Sequence, residues 1–237
     1  MRILSAAAAA LIVLVGASPA AAQSWADSWR DRWVGTMGGE VGVATDNRSK
    51  FASKSGGDPA AFAGVYAVTP DGAWYVEGEA ETIRDSSGSD AEVTFAAGWR
   101  PRAFGTDFDL SAARKVRVGA VPGTDTEAWE FTADGERAIG PFEGRLRLQQ
   151  SPDGAGSTGA WVYFEVRLRW DVAPRWTLDA QVGTRDYEDD ADDYSGASLG
   201  AIYAATDRLE LDLRLVETDR AGEDGDPALV LSVISGF

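Results

Sequence analysis

From Leu209 to Leu215 every odd residue is leucine, and the residues between are Glu210, Asp212 and Arg214. A period of two is the mark of an extended strand with one apolar and one charged face, because successive side chains point to opposite sides. The pattern recurs. Val162, Phe164, Val166, Leu168 and Trp170 alternate with Trp161, Tyr163, Glu165, Arg167 and Arg169. Phe142, Leu146 and Leu148 alternate with Glu143, Arg145, Arg147 and Gln149, and Trp176, Leu178, Ala180 and Val182 with Thr177, Asp179 and Gln181. Beyond the N-terminal run, no stretch approaches the ~20 consecutive apolar residues of a spanning helix. These features restrict the chain to an all-β architecture.

Twelve strands are expected, near 38–46, 60–69, 73–84, 90–101, 107–117, 126–134, 141–150, 159–171, 175–186, 194–205, 208–218 and 228–237. Most are close to the length of about 9–11 residues that a tilted membrane strand needs. The connections alternate between tight turns, such as Thr69–Gly72 and Val172–Arg175, and longer acidic or Gly/Ser-rich loops, such as Asn47–Asp58 and Thr218–Asp226. Short turns at one rim and long loops at the other describe a closed, antiparallel transmembrane β-barrel with periplasmic turns and outer loops. Trp74, Trp99, Phe108, Phe142, Trp170, Trp176 and Phe237 fall near the short-turn ends, and Trp129, Trp161, Tyr187 and Tyr194 near the long-loop ends. They read as two aromatic girdles at the membrane interfaces. A soluble sandwich would place the same rings in its core; the C-terminus weighs against it. A last strand ending on Phe237 is similar to the assembly signal of outer-membrane barrels, so outer-membrane lipid and the barrel-assembly machinery are expected partners.

The chain opens with Met1-Arg2, an apolar run from Ala6 to Val15, and Ala20-Ala21-Ala22-Gln23. This reads as a secretory signal peptide over 1–22. Residues 23–37 read as an N-terminal periplasmic segment. In it Trp25, Trp29 and Trp33 recur at helical spacing, consistent with a short helix leaning on the barrel or, less simply, a plug. The barrel takes 38–237. A formal net charge of -16 argues against nucleic acid as a partner, and none is expected. With no Cys and no His, disulfides, thiolate metal sites and Ser-His-Asp chemistry are excluded. An enzyme would have to work with Asp/Glu pairs alone, so none is expected, and no cofactor is. The acidic run Glu188–Asp193 lacks the glycine and closing glutamate of a calcium loop and reads as a solvated loop.

If the apolar faces meet lipid, the charged faces line a lumen. Arg145 and Arg147 share one face of a strand, and Arg167 and Arg169 share that of the next. Glu143 and Glu165 lie beside them. Glu77, Glu81 and Glu92 point inward elsewhere, followed by Asp109 and Glu130, and Asp212 and Arg214 face inward on the penultimate strand. An arginine wall facing an acidic wall would set up a transverse field of the kind that selects solutes. Four guanidinium groups exceed the charge of Glu143 and Glu165, so the surplus should attract either the acidic wall or passing anions. The expected function is a porin-like channel for small hydrophilic solutes or ions; the alternative is a closed structural or surface-binding barrel.

One segment carries a family resemblance. Thr45-Asp46-Asn47-Arg48-Ser49-Lys50-Phe51-Ala52-Ser53-Lys54-Ser55, followed by Asp58-Pro59-Ala60, is similar to the opening motif of the TorF-like porin family. Asp46, Arg48, Ser53, Ser55, Pro59 and Ala60 match at the family spacing. Asn47 and Ser49 stand where the family has aromatics, and Phe51 where it has glycine. Gly140-Pro141-Phe142, Ser151-Pro152-Asp153, Tyr163 with Glu165, Leu178 with Gly183, and Asp193-Tyr194 resemble further family positions. The resemblance spans about Gly38 to Phe237 and implies an outer-membrane barrel.

Overall fold

The computed structural model describes residues 37–155, 159–188 and 193–237. The expected signal peptide, the Trp25/Trp29/Trp33 segment and most of the acidic run 188–193 lie outside the described residues. Twelve antiparallel strands form the barrel. They are β1 (Met37–Ala44), β2 (Ala60–Val68), β3 (Trp74–Thr82), β4 (Ala91–Trp99), β5 (Thr106–Val118) and β6 (Glu127–Ile139). The second half comprises β7 (Phe142–Gly154), β8 (Gly159–Ala173), β9 (Trp176–Tyr187), β10 (Tyr194–Ala204), β11 (Leu209–Thr218) and β12 (Ala228–Gly236). Each strand pairs with its sequence neighbours, and β12 pairs back onto β1 from Gly236 opposite Glu40 to Ser232 opposite Ala44. Phe237 completes the seam: its N–H donates to the Gly39 carbonyl at 2.9 Å and its carbonyl accepts from the Gly39 N–H at 3.1 Å. Closure removes both sheet edges, which a bilayer requires because lipid cannot satisfy backbone groups.

Burial is inverted relative to a water-soluble protein. Val41, Val65, Phe95, Leu199, Leu213 and Leu229 are exposed, whereas Glu92, Asp134, Arg145, Glu165, Arg167, Asp179 and Asp212 are buried. A sandwich would bury the leucines and expose the charges. Here the apolar set can only face lipid, and the charged set faces the interior.

The turn-side girdle forms pairs across neighbouring strands. Trp74 stacks on Trp99 at 5.8 Å between ring centres, Phe142 meets Trp170 at 5.6 Å, and Trp176 meets Tyr203 at 4.8 Å. The loop-side girdle differs from expectation. Trp129 is exposed, but Trp161 and Tyr194 are buried and Tyr187 is half-buried, lining the interior. Parity explains this: Trp161 shares its face with Glu165 and Arg167, and Tyr187 shares its face with Arg185.

Two strands run at least four residues past their expected ends. β6 continues past Asp134 to Ile139, with Gly135 opposite Leu146. A glycine interrupts an alternating pattern without interrupting a ladder. β7 continues past Gln150 to Gly154 through an irregularity in its pairing with β8.

Candidate functional site

The loop between β1 and β2, residues 45–59, folds into the barrel rather than out from it. Phe51, Asp46, Ser53 and Ser55 are all buried. Asp46 organises the loop. Its Oδ1 accepts from Ser53 Oγ at 2.6 Å and Ser55 Oγ at 2.9 Å, and its Oδ2 accepts from Arg48 Nε at 2.6 Å. The motif positions Asp46, Arg48, Ser53 and Ser55 are thus the ones that knit the loop together.

Phe51 docks the loop against the far wall. Its ring centre lies 6.3 Å from that of Tyr163 on β8. A Cβ added at Gly196 on β10 would fall 2.4 Å from Phe51, and one at Gly183 on β9 would fall 3.1 Å away. Lys50 and Phe51 both take left-handed backbone, with φ of 51° and 69°. Such conformations cost about 1–3 kcal/mol each for non-glycine residues and persist only where packing holds them. A glycine would take the Phe51 backbone without strain but would leave the notch at Gly183 and Gly196 empty. Lysines tie the loop down at its sides. Lys54 bonds Glu81 on β3 and reaches Glu92 on β4 at 2.9 Å, while Lys50 Nζ lies 3.6 Å from Glu130 on β6.

The expected arginine wall is present. Arg145 lies directly opposite Arg167, Arg147 opposite Glu165, and Glu143 opposite Arg169 in the β7–β8 ladder. Like charges placed directly opposite each other destabilise a sheet unless carboxylates intervene. They do. Arg145 bonds Glu165 at 2.6 Å, and Arg147 forks onto Asp134 of β6 at 2.6 and 2.8 Å. Arg167 and Arg214 both bond Asp179 of β9, Arg169 lies 3.7 Å from it, and Arg214 also reaches Asp212 at 3.2 Å. Carboxylates beyond Glu143 and Glu165 therefore take up the surplus guanidinium charge. Asp134 and Asp179, which sequence reasoning did not enlist, come from the flanking strands. Each is directly opposite an arginine, Asp134 across from Arg147 and Asp179 across from Arg169, and only the register reveals that.

The acidic residues, by contrast, do not form one wall. Glu92 is enclosed by cations, with Lys54 at 2.9 Å, Lys115 at 3.3 Å and Arg117 at 3.5 Å. Glu81 meets Lys54. Glu77 is buried on β3, and Asp109 accepts from the Tyr75 hydroxyl at 2.7 Å and from Arg100 at 3.2 Å. The transverse field becomes a mosaic.

Two cavities flank the inward loop. One, of about 180 Å³, opens at the outer mouth between the loop, the outer ends of β4, β5, β6, β8 and β9, and the segment after β11. Seven of its lining residues are Lys or Arg and four are Asp or Glu. The other, of about 270 Å³, lies deeper, against β1, β2, β3, β9, β11 and β12. There five lining residues are acidic and two basic.

No protein-family model matches the chain, and no curated protein matches it. Solved structures do. A KdgM porin superposes with a TM-score of 0.58 over 85% of this chain and 98% of its own length, at 4% identity. A NanC porin gives 0.55 over 84% and 97%, at 9% identity. An outer membrane channel from Pseudomonas putida F1 gives 0.56 over 94% and 100%, at 12% identity. The fold is that of an outer-membrane β-barrel. Identities this low carry architecture only; a second KdgM structure holds a disordered oligogalacturonate, and that ligand belongs to that protein.

Proposed function

We propose that the protein is a porin-like outer-membrane channel for small hydrophilic solutes or ions. The observation that carries this reading is the direction of the ion pairs. Arg145–Glu165, Arg147–Asp134 and Arg167–Asp179 each join neighbouring strands and run along the wall, with polar cavities left beside the inward loop. An inward loop narrowing a charged lumen is a means of sorting solutes. The porin-type architecture of the structural neighbours supports the reading, as does the motif similarity to the TorF-like family.

The closed structural or surface-binding barrel has one specific observation in its favour, the seating of Phe51 in the Gly183–Gly196 notch, which wedges the loop across the lumen. Conductance separates the two. Purified protein reconstituted in a planar bilayer should show discrete conductance steps; a protein that inserts, shifts on a heat-modifiability gel, and never conducts would leave the closed barrel standing. The proposed location and assembly partners are tested by fractionation. The wild-type protein should sediment with outer membranes and resist high salt, and deleting Phe237 should slow its assembly.

A further inference from the structure

The outer-mouth cavity is positively charged in a protein whose formal net charge is -16. The chain has three lysines, Lys50, Lys54 and Lys115, and all three line this one cavity. Four arginines join them, against four carboxylates. A surface this acidic overall does not gather its lysines by chance of composition; the concentration demands a use or a compensating charge.

Among the described residues, part of that charge is not paired with a carboxylate. Arg185 sits over Trp161, its guanidinium carbon 4.1 Å from the ring centre, and 4.8 Å from that of Tyr187. Among the described residues it makes no ion pair, and its buried Nε has no hydrogen-bond partner. Lys50 Nζ sits 4.6 Å from the same Trp161 ring. Two cations therefore crowd one indole, and the carboxylate in reach is Glu130, 3.6 Å from Lys50 and itself 3.3 Å from Lys115. Aromatic faces stabilise such cations only modestly. They also restrict the guanidinium, and Arg185 lines the cavity, an arrangement suited to a planar carboxylate.

We infer that the outer mouth is a binding site for a small carboxylate-bearing solute, such as an acidic monosaccharide, seated between Arg185 and Lys50 above Trp161. The guanidinium fork takes the carboxylate, and the lysine ammonium closes on its outer side. Hydroxyls of a sugar would meet the polar groups of the loop, where Ser49 and Ser53 line the same space. The inference deepens the channel reading by naming the class of solute, and rests on it only in taking the mouth to be open to solutes.

Isothermal titration calorimetry on the folded protein in detergent tests the site without reference to conduction. Glucuronate should bind saturably and glucose should not. Arg185→Gln and Lys50→Gln should each weaken glucuronate by at least tenfold, while Arg185→Lys, which keeps the charge and loses the fork, should weaken it less. Glucose binding as well as glucuronate, or Arg185→Gln binding as the wild type does, would overturn the inference. Should Arg185→Gln lose the heat-modifiable band of a folded barrel, Lys50→Gln and the glucuronate–glucose comparison decide. A conducting protein that fails this titration sinks the site and spares the channel; a non-conducting protein that passes it does the reverse.

Discussion

The two cavities beside the inward loop carry opposite charge, and they are built by different means. At the mouth, cations outnumber carboxylates, and the crucial ones, Lys50 and Arg185, rest on aromatic faces. In the deeper cavity, carboxylates outnumber cations, and Arg214 is clamped by Asp179 and Asp212. Fixed ion pairs spend an arginine's charge on structure. Aromatic support leaves it available to a ligand. A solute entering the proposed channel would cross from a positive to a negative region within one short lumen.

The largest expected effect comes from breaking the clamped side. Asp179 is fully buried and serves three arginines. Asp179→Asn should destabilise the barrel by about 3–5 kcal/mol, because it strands buried guanidinium groups. Urea unfolding in lipid vesicles measures this, and a loss under about 1 kcal/mol would mean the arginines find water instead.

Next is the loop that divides the cavities. Gly196→Ala places a methyl 2.4 Å from Phe51. The overpacking costs about 1–3 kcal/mol and should undock the loop. Conductance should rise and trypsin should begin to cut after Lys50 and Lys54. An unchanged digest would show that the loop absorbs the methyl in place.

The third effect is on pH. Lys50 lies on the connecting loop, outside the membrane-crossing strands, and its amine is pushed down to about 7. Burial is the main cause; Lys115 of β5, Arg185 of β9 and Lys54 of the loop push the same way, and Glu130 of β6 opposes. Below pH 7 the docked amine is charged. Between 7 and its ordinary 10.5 the docked amine is neutral while an undocked one would still hold its proton. Loop docking should therefore strengthen as pH rises across that window, and glucuronate binding, which uses the charge, should weaken by about five- to tenfold. Calorimetry at pH 6 and pH 9 reads the change, and in Lys50→Gln it should vanish.

The smallest effect is at the rim. Arg84 and Asp58 pair with Arg84 largely and Asp58 about half exposed to water, so Arg84→Ala should alter stability by under about 0.5 kcal/mol. A larger loss on unfolding would assign the pair a part in holding the first loop.

The sequence announced the barrel because alternation is a local property. Leu209–Leu215 states its two faces without help from the rest of the chain, and both the strand count and the turn-side girdle follow from such segments. The interior was legible in membership and illegible in pairing. Arg145, Arg147, Arg167 and Arg169 are neighbours as the spacing required, but their partners Asp134 and Asp179 depend on cross-strand register, and a residue's face says nothing about who stands opposite. Trp161 shows a related error: its position near a strand end suggested the lipid interface, while its parity with Glu165 already placed it inside. The loop was least legible. Its motif was visible, but its inward path depends on Gly183 and Gly196, well over a hundred residues away in the chain.

The placement of the lysines has a practical consequence. Apart from its amino terminus, this protein offers primary amines at one address, the half-sheltered pocket at its mouth. An acylating dye should therefore mark that pocket and the amino terminus while the lipid-facing belt stays unlabelled. Its rate of attachment would time the opening of the loop in a protein that needs no introduced label.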